Sequence, residues 1–197
     1  MDPVASTERL VLRRFEPSDA DNLWTLYGDR AVMRHISLPT IPRSELDDHV
    51  LPELLAEYDE CPGFGHWAAE TRTDREFVGW FGLHPAVPTD DGLWTRGTPT
   101  DALAMVSLGY RLRQAAWGRG FATEGARALM RWAFADVGTA EIRATTMAVN
   151  TGSRNVLEKV GFEHIRTLHL DWPDPLDGNE HGDVVYRLRR RDWTTRT

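Results

Sequence analysis

Two glycines, Gly118 and Gly120, lie one residue apart just before a predicted helix, in the segment RQAAWGRGFATEG at residues 113–125. Glycine lets the backbone approach a ligand closely. The first N–H groups of a helix have no partner inside it, and the helix dipole adds partial positive charge there. Such a turn can hold a phosphate or pyrophosphate, to which Arg119 would add a cation and Thr123 a hydroxyl. Taken alone, the pattern equally fits a tight strand-to-helix turn.

Two common phosphate-binding motifs are excluded at this turn. A P-loop requires Gly-Lys-Ser/Thr, but Lys159 is the only lysine of the chain and lies far along the sequence. A dinucleotide fingerprint requires a third glycine, which Ala122 and Thr123 do not supply. The turn can therefore still be an anion site, but it is neither a P-loop nor a dinucleotide-binding fingerprint.

A second candidate segment begins at Asn150. Asn150 is a good N-cap for a short helix predicted over residues 150–160, and Ser153 lies in its first turn. Gly161 follows at the position where glycine commonly ends a helix. The polar side chains of Asn150 and Ser153 could cap the helix, contact a ligand, or do both.

The elements around these segments alternate between strand and helix periodicity. The predicted helices are 18–27, opened by a capping box of Ser18 and Asp21, 44–58, kinked or split at Pro52, 122–134 and 150–160. The predicted strands are 8–15, 66–70, 77–83, 105–112, 141–149, 164–170 and 183–188. Residues 85–101 are predicted to form a long loop, and residues 171–183 an acidic loop. This order predicts an α+β fold in a single domain, 1–197.

Composition narrows the class of protein. The net charge of −7 argues against nucleic-acid binding. No run of eighteen apolar residues exists, and residues 1–8 lack the apolar core of a secretory signal. Cys61 is the only cysteine, which excludes an intrachain disulfide and a Cys-rich metal site, and the seven histidines are scattered. We therefore expect a cytoplasmic protein with no membrane and no metal as partner.

These segments together resemble the GCN5-related N-acetyltransferase (GNAT) family, specifically its RimJ/RimL-type branch. The family's Gln/Arg-x-x-Gly-x-Gly/Ala loop corresponds to residues 115–120, where Ala115 replaces the Gln or Arg, as is frequent in that branch. Residues 7–13 resemble its opening strand, 108–112 its fourth strand, 150–162 its Asn-x-x-Ser … Leu-Glu-Lys-x-Gly-Phe segment, and 186–193 its closing strand and tail. The resemblance implies a GNAT fold, with a mixed, mostly antiparallel sheet of six to seven strands and about four flanking helices.

The resemblance also implies an acetyl-CoA-dependent N-acetyltransferase in which a primary amine attacks the thioester directly. A backbone N–H near Arg111 and Leu112 would polarise the thioester carbonyl. Asn150 would hold the pantetheine arm or an ordered water, and Ser153 would protonate the leaving thiolate. The residues implied to bind the CoA at the turn are Trp117, Gly118, Arg119, Gly120, Phe121, Ala122 and Thr123.

Several residues are candidates for the general base and for the site that binds the acceptor amine. Many relatives carry a glutamate near the start of the fourth strand, where this chain has Ser107, so His84 or a chain of waters are alternatives. The acidic loop could attract a cationic amine, and Trp94 and Trp172 could line the acceptor site or a dimer contact.

Three functions remain in competition. The resemblance suggests a protein N-terminus as acceptor and a homodimer as assembly. The alternative within enzymes is acetylation of a small molecule such as an amino acid, a polyamine or an aminoglycoside. The alternative outside enzymes is a non-catalytic acyl-CoA-binding module.

Overall fold

The computed structural model describes residues 5–36, 40–171 and 173–194. Its strands are β1 (Ala5–Ser6), β2 (Leu10–Arg14), β3 (Gly65–Thr71), β4 (Phe77–Pro88), β5 (Trp94–Arg96), β6 (Met105–Leu112), β7 (Glu141–Met147), β8 (Glu163–Leu168) and β9 (Asp183–Arg189). Its α-helices are α1 (Ala20–Tyr27), α2 (Arg30–Met33), α3 (Arg43–Glu45), α4 (Leu51–Glu60), α5 (Phe121–Arg131), α6 (Thr151–Lys159) and α7 (Arg190–Thr194). Within the described part of the chain, no helix combines the length and the apolar character needed to cross a membrane.

These residues form two compact units. The first comprises 5–34, 40–83 and 109–129, and the second comprises 35–36, 84–108, 130–171 and 173–194. Strands β4 and β6 and helix α5 each contribute residues to both units. The single domain over 1–197 stays a prediction.

The first unit contains an antiparallel meander. β1 pairs with β2, β2 with β3, and β3 with β4, in registers that include Leu12↔Ala69 and Trp67↔Phe81. Alternation along β2 sends Leu10 and Leu12 to one face, where both are 0% exposed. Trp67 and Phe81 are likewise buried, so large apolar side chains from three strands build the core of this unit.

A buried ion cluster lies at the start of α1. Asp19 is 1% exposed and accepts hydrogen bonds from Nη1 and Nη2 of Arg13 at 2.6 and 2.8 Å. It also accepts from Nδ2 of Asn22 at 2.8 Å and from the backbone N–H of Glu16 at 2.9 Å. Glu70 of β3 pairs with the same guanidinium. Burial alone would raise the pKa of Asp19, but these bonds outweigh it and hold the pKa below its usual value.

Two details of the predicted helices differ in the structure. The capping box before α1 is formed by Glu16 and Asp19, with Pro17 in the first turn, rather than by the predicted Ser18 and Asp21. Asp19 takes that role because it is also held by the ion cluster. The second predicted helix is split, as expected, but the irregular part is a π-helical turn over Leu46–Val50 that precedes Pro52.

The second unit is built on β6, β7, β9 and β8. β6 runs parallel to β7 in the pairs Met105↔Glu141 to Ser107↔Arg143, whereas β7 with β9 and β8 with β9 are antiparallel. The sheet is therefore mixed and mostly antiparallel, which confirms the predicted α+β class and GNAT-type architecture.

The structure has more elements than predicted. Nine strands occur in the described residues, where six to seven were expected, because β1 and β5 are too short to show a period in the sequence. Two additional helices, α2 and α7, are five residues or shorter, whereas α3 is the first part of the second predicted helix. The predicted loop at residues 85–101 instead contains the end of β4 and a hairpin to β5, in the register Ala86↔Arg96 to Pro88↔Trp94.

Candidate active site

The turn at residues 117–120, called here the glycine turn, connects β6 to α5. Gly118 and Gly120 have φ values of 72° and 82°, in the left-handed region that glycine adopts at little cost. Arg119 lies between them and is exposed. The backbone N–H of Glu124 donates to the carbonyl of Gly120 at 3.0 Å, so the N–H groups of residues 121–123 precede the first bonded turn of α5. The predicted helix mouth is therefore present with its glycines in the expected places.

Arg9 and Glu124 brace this helix mouth. The Nε and Nη2 atoms of Arg9 both lie 2.6 Å from Oε2 of Glu124, and the Arg9 backbone N–H donates to Oε1 at 2.8 Å. Nη1 of Arg9 donates to the carbonyl of Arg119 at 2.9 Å, and the Thr7 hydroxyl donates to Glu124. Burial would raise the pKa of Glu124, but the bonds from Thr7 and Arg9 outweigh it and lower the pKa.

Sequence reasoning missed Arg9 and Glu124 as site residues. Residues 7–13 were interpreted as a strand alone, although Thr7 and Arg9 contact a residue more than a hundred positions away. The available signal was an acidic residue in the first turn of a helix, which usually has a partner or faces the helix dipole.

Two guanidinium groups lie on the ring of Phe121. The Cζ atoms of Arg9 and Arg119 are each 4.8 Å from the ring centroid. Phe121 itself is only 3% exposed, so its ring provides a fixed base for both cations. Arg9 is balanced by its ion pair with Glu124, so Arg119 supplies the net positive charge beside the N-terminus of α5, where the helix dipole has the same sign.

Trp117 joins the glycine turn to the end of β6. Its indole Nε1 donates to the carbonyl of Leu112 at 2.8 Å, and the side chain is 41% exposed. The side chain of Leu112 is buried, whereas Ala122 and Thr123 are partly exposed. Leu112 and Phe121 can therefore offer a ligand only their backbone, while Trp117, Arg119 and Thr123 can also offer a side chain.

Close packing positions α5 on the sheet. A Cβ atom added to Gly125 would lie 2.2 Å from Cζ of Phe81, and Phe81 is 0% exposed. The missing side chain therefore allows α5 to approach β4 closely. This contact fixes the helix axis that directs the N–H groups of residues 121–123.

In the second unit, Asn150 caps α6. Its Oδ1 accepts a hydrogen bond from the backbone N–H of Ser153 at 3.1 Å, which confirms the capping role expected from the sequence. Ser153 lies in the first turn of α6 and is partly exposed. The assignments of Asn150 to CoA and of Ser153 to proton transfer stay predictions.

Arg111 on β6 has an unusual environment. Its Nε and Nη1 atoms are buried and have no hydrogen-bond partner. The Cζ atom lies 4.4 Å from the ring centroid of Tyr27 and 5.2 Å from that of Trp80. Burial lowers the pKa of the Arg111 guanidinium, and a hydrogen bond with Tyr27 partly offsets that effect. The sequence pointed to the backbone of Arg111 and carried no signal for the burial of its side chain.

The structure leaves the general base undetermined. Ser107 is a partly buried residue of β6, and His84 is a partly buried residue of β4. In the first unit, Nδ1 of His66 lies 2.8 Å from Oε2 of Glu57, a pair that the sequence did not reveal because its members are on β3 and α4. The assignment of His84 as base stays a prediction.

The possible acceptor contacts of Trp94, Trp172 and the acidic loop stay predictions. Trp94 opens β5 and is partly buried. Trp172 lies outside the described residues. Nε2 of His181 is 3.6 Å from Oε1 of Glu180 within the acidic loop.

Comparison with known proteins agrees with this geometry. The acetyltransferase (GNAT) domain family matches residues 9–163. FsC-acetyl coenzyme A-N(2)-transacetylase of Aspergillus fumigatus is 36% identical over 191 residues, which cover 97% of this chain and 78% of the relative. Two solved structures share the fold, each with a TM-score of 0.74 and coverage of 95% of this chain and 98% of the other. They are a GNAT-family acetyltransferase from Bacillus anthracis, 17% identical, and the ribosomal-protein α-N-acetyltransferase RimL in complex with coenzyme A, 16% identical.

Proposed function

The chain belongs to the GNAT family and is an acetyl-CoA-dependent N-acetyltransferase, and we propose that it acetylates a primary amine by direct attack on the thioester. The observation that carries the proposal is the glycine turn. Gly118 and Gly120 adopt left-handed φ values at the mouth of α5, beside the guanidinium groups of Arg9 and Arg119. The N–H groups of the first turn of α5 and the positive charge of Arg119 form a suitable site for the CoA pyrophosphate.

The donor is held along the path from β6 to α5 in this proposal. Residues 121–123 donate backbone N–H groups to the pyrophosphate, and Arg119 supplies charge. Trp117 keeps the turn against the end of β6 through its bond to Leu112. Asn150 contacts the pantetheine arm through the part of its carboxamide that does not cap α6.

The transfer then follows ordinary acyl chemistry. The neutral amine nitrogen forms a bond to the thioester carbon, and the carbonyl oxygen gains negative charge. A backbone N–H near Arg111 and Leu112 donates to that oxygen. This role is supported by the register of β6 with β7, which runs from Met105↔Glu141 to Ser107↔Arg143 and does not use the later residues of β6. The carbon–sulfur bond breaks, Ser153 donates its hydroxyl proton to the thiolate and regains a proton from water, and the proton lost by the amine leaves through His84 or a chain of waters.

The proposal also concerns the chemical class of the acceptor amine. The 36% identical relative is named for transfer from acetyl coenzyme A to N(2) of FsC. A nitrogen with a numbered position is typical of a defined organic compound, so this relative favours a small-molecule amine. A protein N-terminus, with membership of the RimJ/RimL branch, remains the second candidate. A homodimer and a cytoplasmic location are further proposals.

Thiol release from acetyl-CoA tests the activity. The purified chain is mixed with amino acids, polyamines, aminoglycosides and peptides with free N-termini, and free CoA thiol is followed by absorbance after reaction with a disulfide reagent. We expect release with small-molecule amines at rates above those with peptides. Release with peptides alone would move the acceptor to the protein N-terminus. CoA binding without release for any amine would refute the enzymatic function and leave an acyl-CoA-binding module.

Ser153→Ala tests the proposed proton donor. We expect kcat to fall about 10²-fold, the low end of the range for general acid catalysis, while the Kd for CoA stays near the wild-type value. Ser107→Ala is the matched control, because it removes a hydroxyl of similar exposure that has no role in the proposed step. Equal kcat values for the two variants would remove Ser153 from the mechanism.

A further inference from the structure

We propose that the buried guanidinium of Arg111, held between Tyr27 and Trp80, binds a carboxylate carried by one of the two substrates. The inference rests on the proposed N-acetyltransferase function and adds a chemical class to its substrates. It depends on three features of the first unit: unpaired donors on Arg111, covered guanidinium faces, and the position of Arg111 on β6.

The first feature is a buried cation that has no counter-ion among the described residues. Nε and Nη1 of Arg111 carry three of the five N–H bonds of a guanidinium, and both atoms are buried without a partner. Tyr27, whose ring centroid lies 4.4 Å from the Cζ atom, is its polar neighbour in the part of the chain that the structure describes. Burying a charge that is not paired is costly, so a protein retains one where a ligand supplies the missing charge.

The second feature determines the kind of anion. The rings of Tyr27 and Trp80 lie 4.4 and 5.2 Å from Cζ of Arg111, so the N–H bonds in the guanidinium plane are the ones that a ligand would meet. The indole Nε1 of Trp80 is also buried without a partner. The unpaired buried atoms of Arg111 and Trp80 are therefore all donors, and their complement is a group that only accepts. A carboxylate is such a group, and it binds a guanidinium in the guanidinium plane.

The third feature is the position of the cluster. Arg111 directly precedes Leu112, whose carbonyl accepts the hydrogen bond from Trp117 of the glycine turn. A Cβ on Gly79 would lie 2.2 Å from the Arg111 carbonyl oxygen, so β4 and β6 are in close contact at this point. The guanidinium therefore belongs to the rigid segment that carries the acyl group in the proposed mechanism. The CoA phosphates are assigned to the glycine turn, so the anion at Arg111 is a different group.

A carboxylate can reach Arg111 from either substrate. It can belong to the amine acceptor, as in an amino acid, or to the acyl chain, as in a dicarboxylic acyl-CoA. Two experimental arms separate these sources. The acceptor arm compares ω-amino acids with their amides, using acetyl-CoA. The donor arm compares succinyl-CoA with acetyl-CoA, using one uncharged amine.

The variants are Arg111→Met and a control, Arg30→Met, which removes an exposed arginine from α2. For the wild type, we expect the carboxylate-bearing compound to be favoured at least about tenfold in kcat/KM in one arm. Arg111→Met should reduce that ratio to about twofold or less, whereas Arg30→Met should keep it. Calorimetric Kd values for the same pairs, measured with CoA present in the acceptor arm, should show the same preference without turnover.

The outcomes separate this inference from the proposed function. A preference in binding that disappears in Arg111→Met supports the carboxylate site even if no amine is acetylated. Turnover without any carboxylate preference in either arm, or a preference that survives in Arg111→Met, overturns it. Thermal unfolding adds a further check: because the substitution removes an unpaired buried charge, Tm should stay the same or rise. A fall in Tm with an unchanged preference would show that Arg111 has only a structural role.

Discussion

Gly120→Glu is the most direct perturbation of the proposed donor site. Gly120 has a φ of 82°, and a Cβ at this position would lie 3.2 Å from Nη2 of Arg9. The new side chain would add a negative charge at the mouth of α5, where the proposed pyrophosphate binds. Three matched variants separate its effects. Gly120→Gln adds the bulk without the charge, Gly120→Ala adds the Cβ, and Gly118→Ala adds a Cβ at a φ of 72° with no heavy atom within 4 Å.

The expected effects of these substitutions are a conformational cost to stability and an electrostatic cost to CoA binding. A left-handed φ costs an L-residue about 1–2 kcal/mol, and this strain applies to Gly118→Ala and Gly120→Ala alike. The Cβ of Gly120→Ala meets only the far end of the flexible Arg9 side chain, so little is added there. A carboxylate about 5 Å from one phosphate charge, at an effective dielectric of about 20, costs about 3 kcal/mol. That energy corresponds to roughly a 10²-fold loss of CoA affinity for Gly120→Glu relative to Gly120→Gln.

Isothermal titration with CoA measures this difference. We expect similar Tm losses for the two alanine variants and a roughly 10²-fold difference in Kd between Gly120→Glu and Gly120→Gln. The difference should shrink as salt concentration rises, because ions screen the added charge. Equal Kd values for the Glu and Gln variants, or wild-type affinity in Gly120→Glu, would show that the pyrophosphate does not bind at this turn.

Three further predictions concern the parts that position the site. Glu124→Gln should lower the free energy of unfolding by about 1–3 kcal/mol through the loss of the charge-assisted bonds of Glu124. Because folding lowers the pKa of Glu124, its contribution to stability is present above the ordinary carboxyl pKa and is lost as the pH falls through the folded pKa. The stabilities of the two proteins in urea unfolding should therefore converge in acid, and a constant difference at all pH values would contradict this prediction. Gly125→Ala should lower the free energy of unfolding by about 1–3 kcal/mol, because the new Cβ overpacks against Phe81. Adding Phe81→Leu to the same chain should recover part of the lost Tm. A Tm equal to wild type for Gly125→Ala alone would contradict the close approach of α5 to β4. Asp19→Asn should cost about 1–3 kcal/mol in chemical unfolding because Arg13 then keeps only one of its two carboxylate partners, Glu70, and a loss below about 1 kcal/mol would mean that the cluster is solvated.

Much of the fold is predictable because its signals are local. The period-two patterns at residues 105–112 and 183–188 become β6 and β9, and the helical pattern after Gly120 becomes α5. Short strands cannot be predicted in this way, because β1 and β5 have only two and three residues, too few to show the apolar–polar alternation of a strand. The π-helical turn at Leu46–Val50 has no sequence signature of its own and is visible only in the structure.

The sequence by itself determined the local backbone conformation of the proposed donor site. Gly118 and Gly120 at a helix mouth and the N-cap Asn150 depend on backbone conformations within a few residues, and residue type controls those conformations. Tertiary structure alone decided the partners of distant side chains. Glu124 is braced by Arg9 across more than a hundred residues, and Arg111 loses solvent because other elements fold over it. Burial and charge compensation depend on packing in three dimensions, which residue spacing along the chain does not encode.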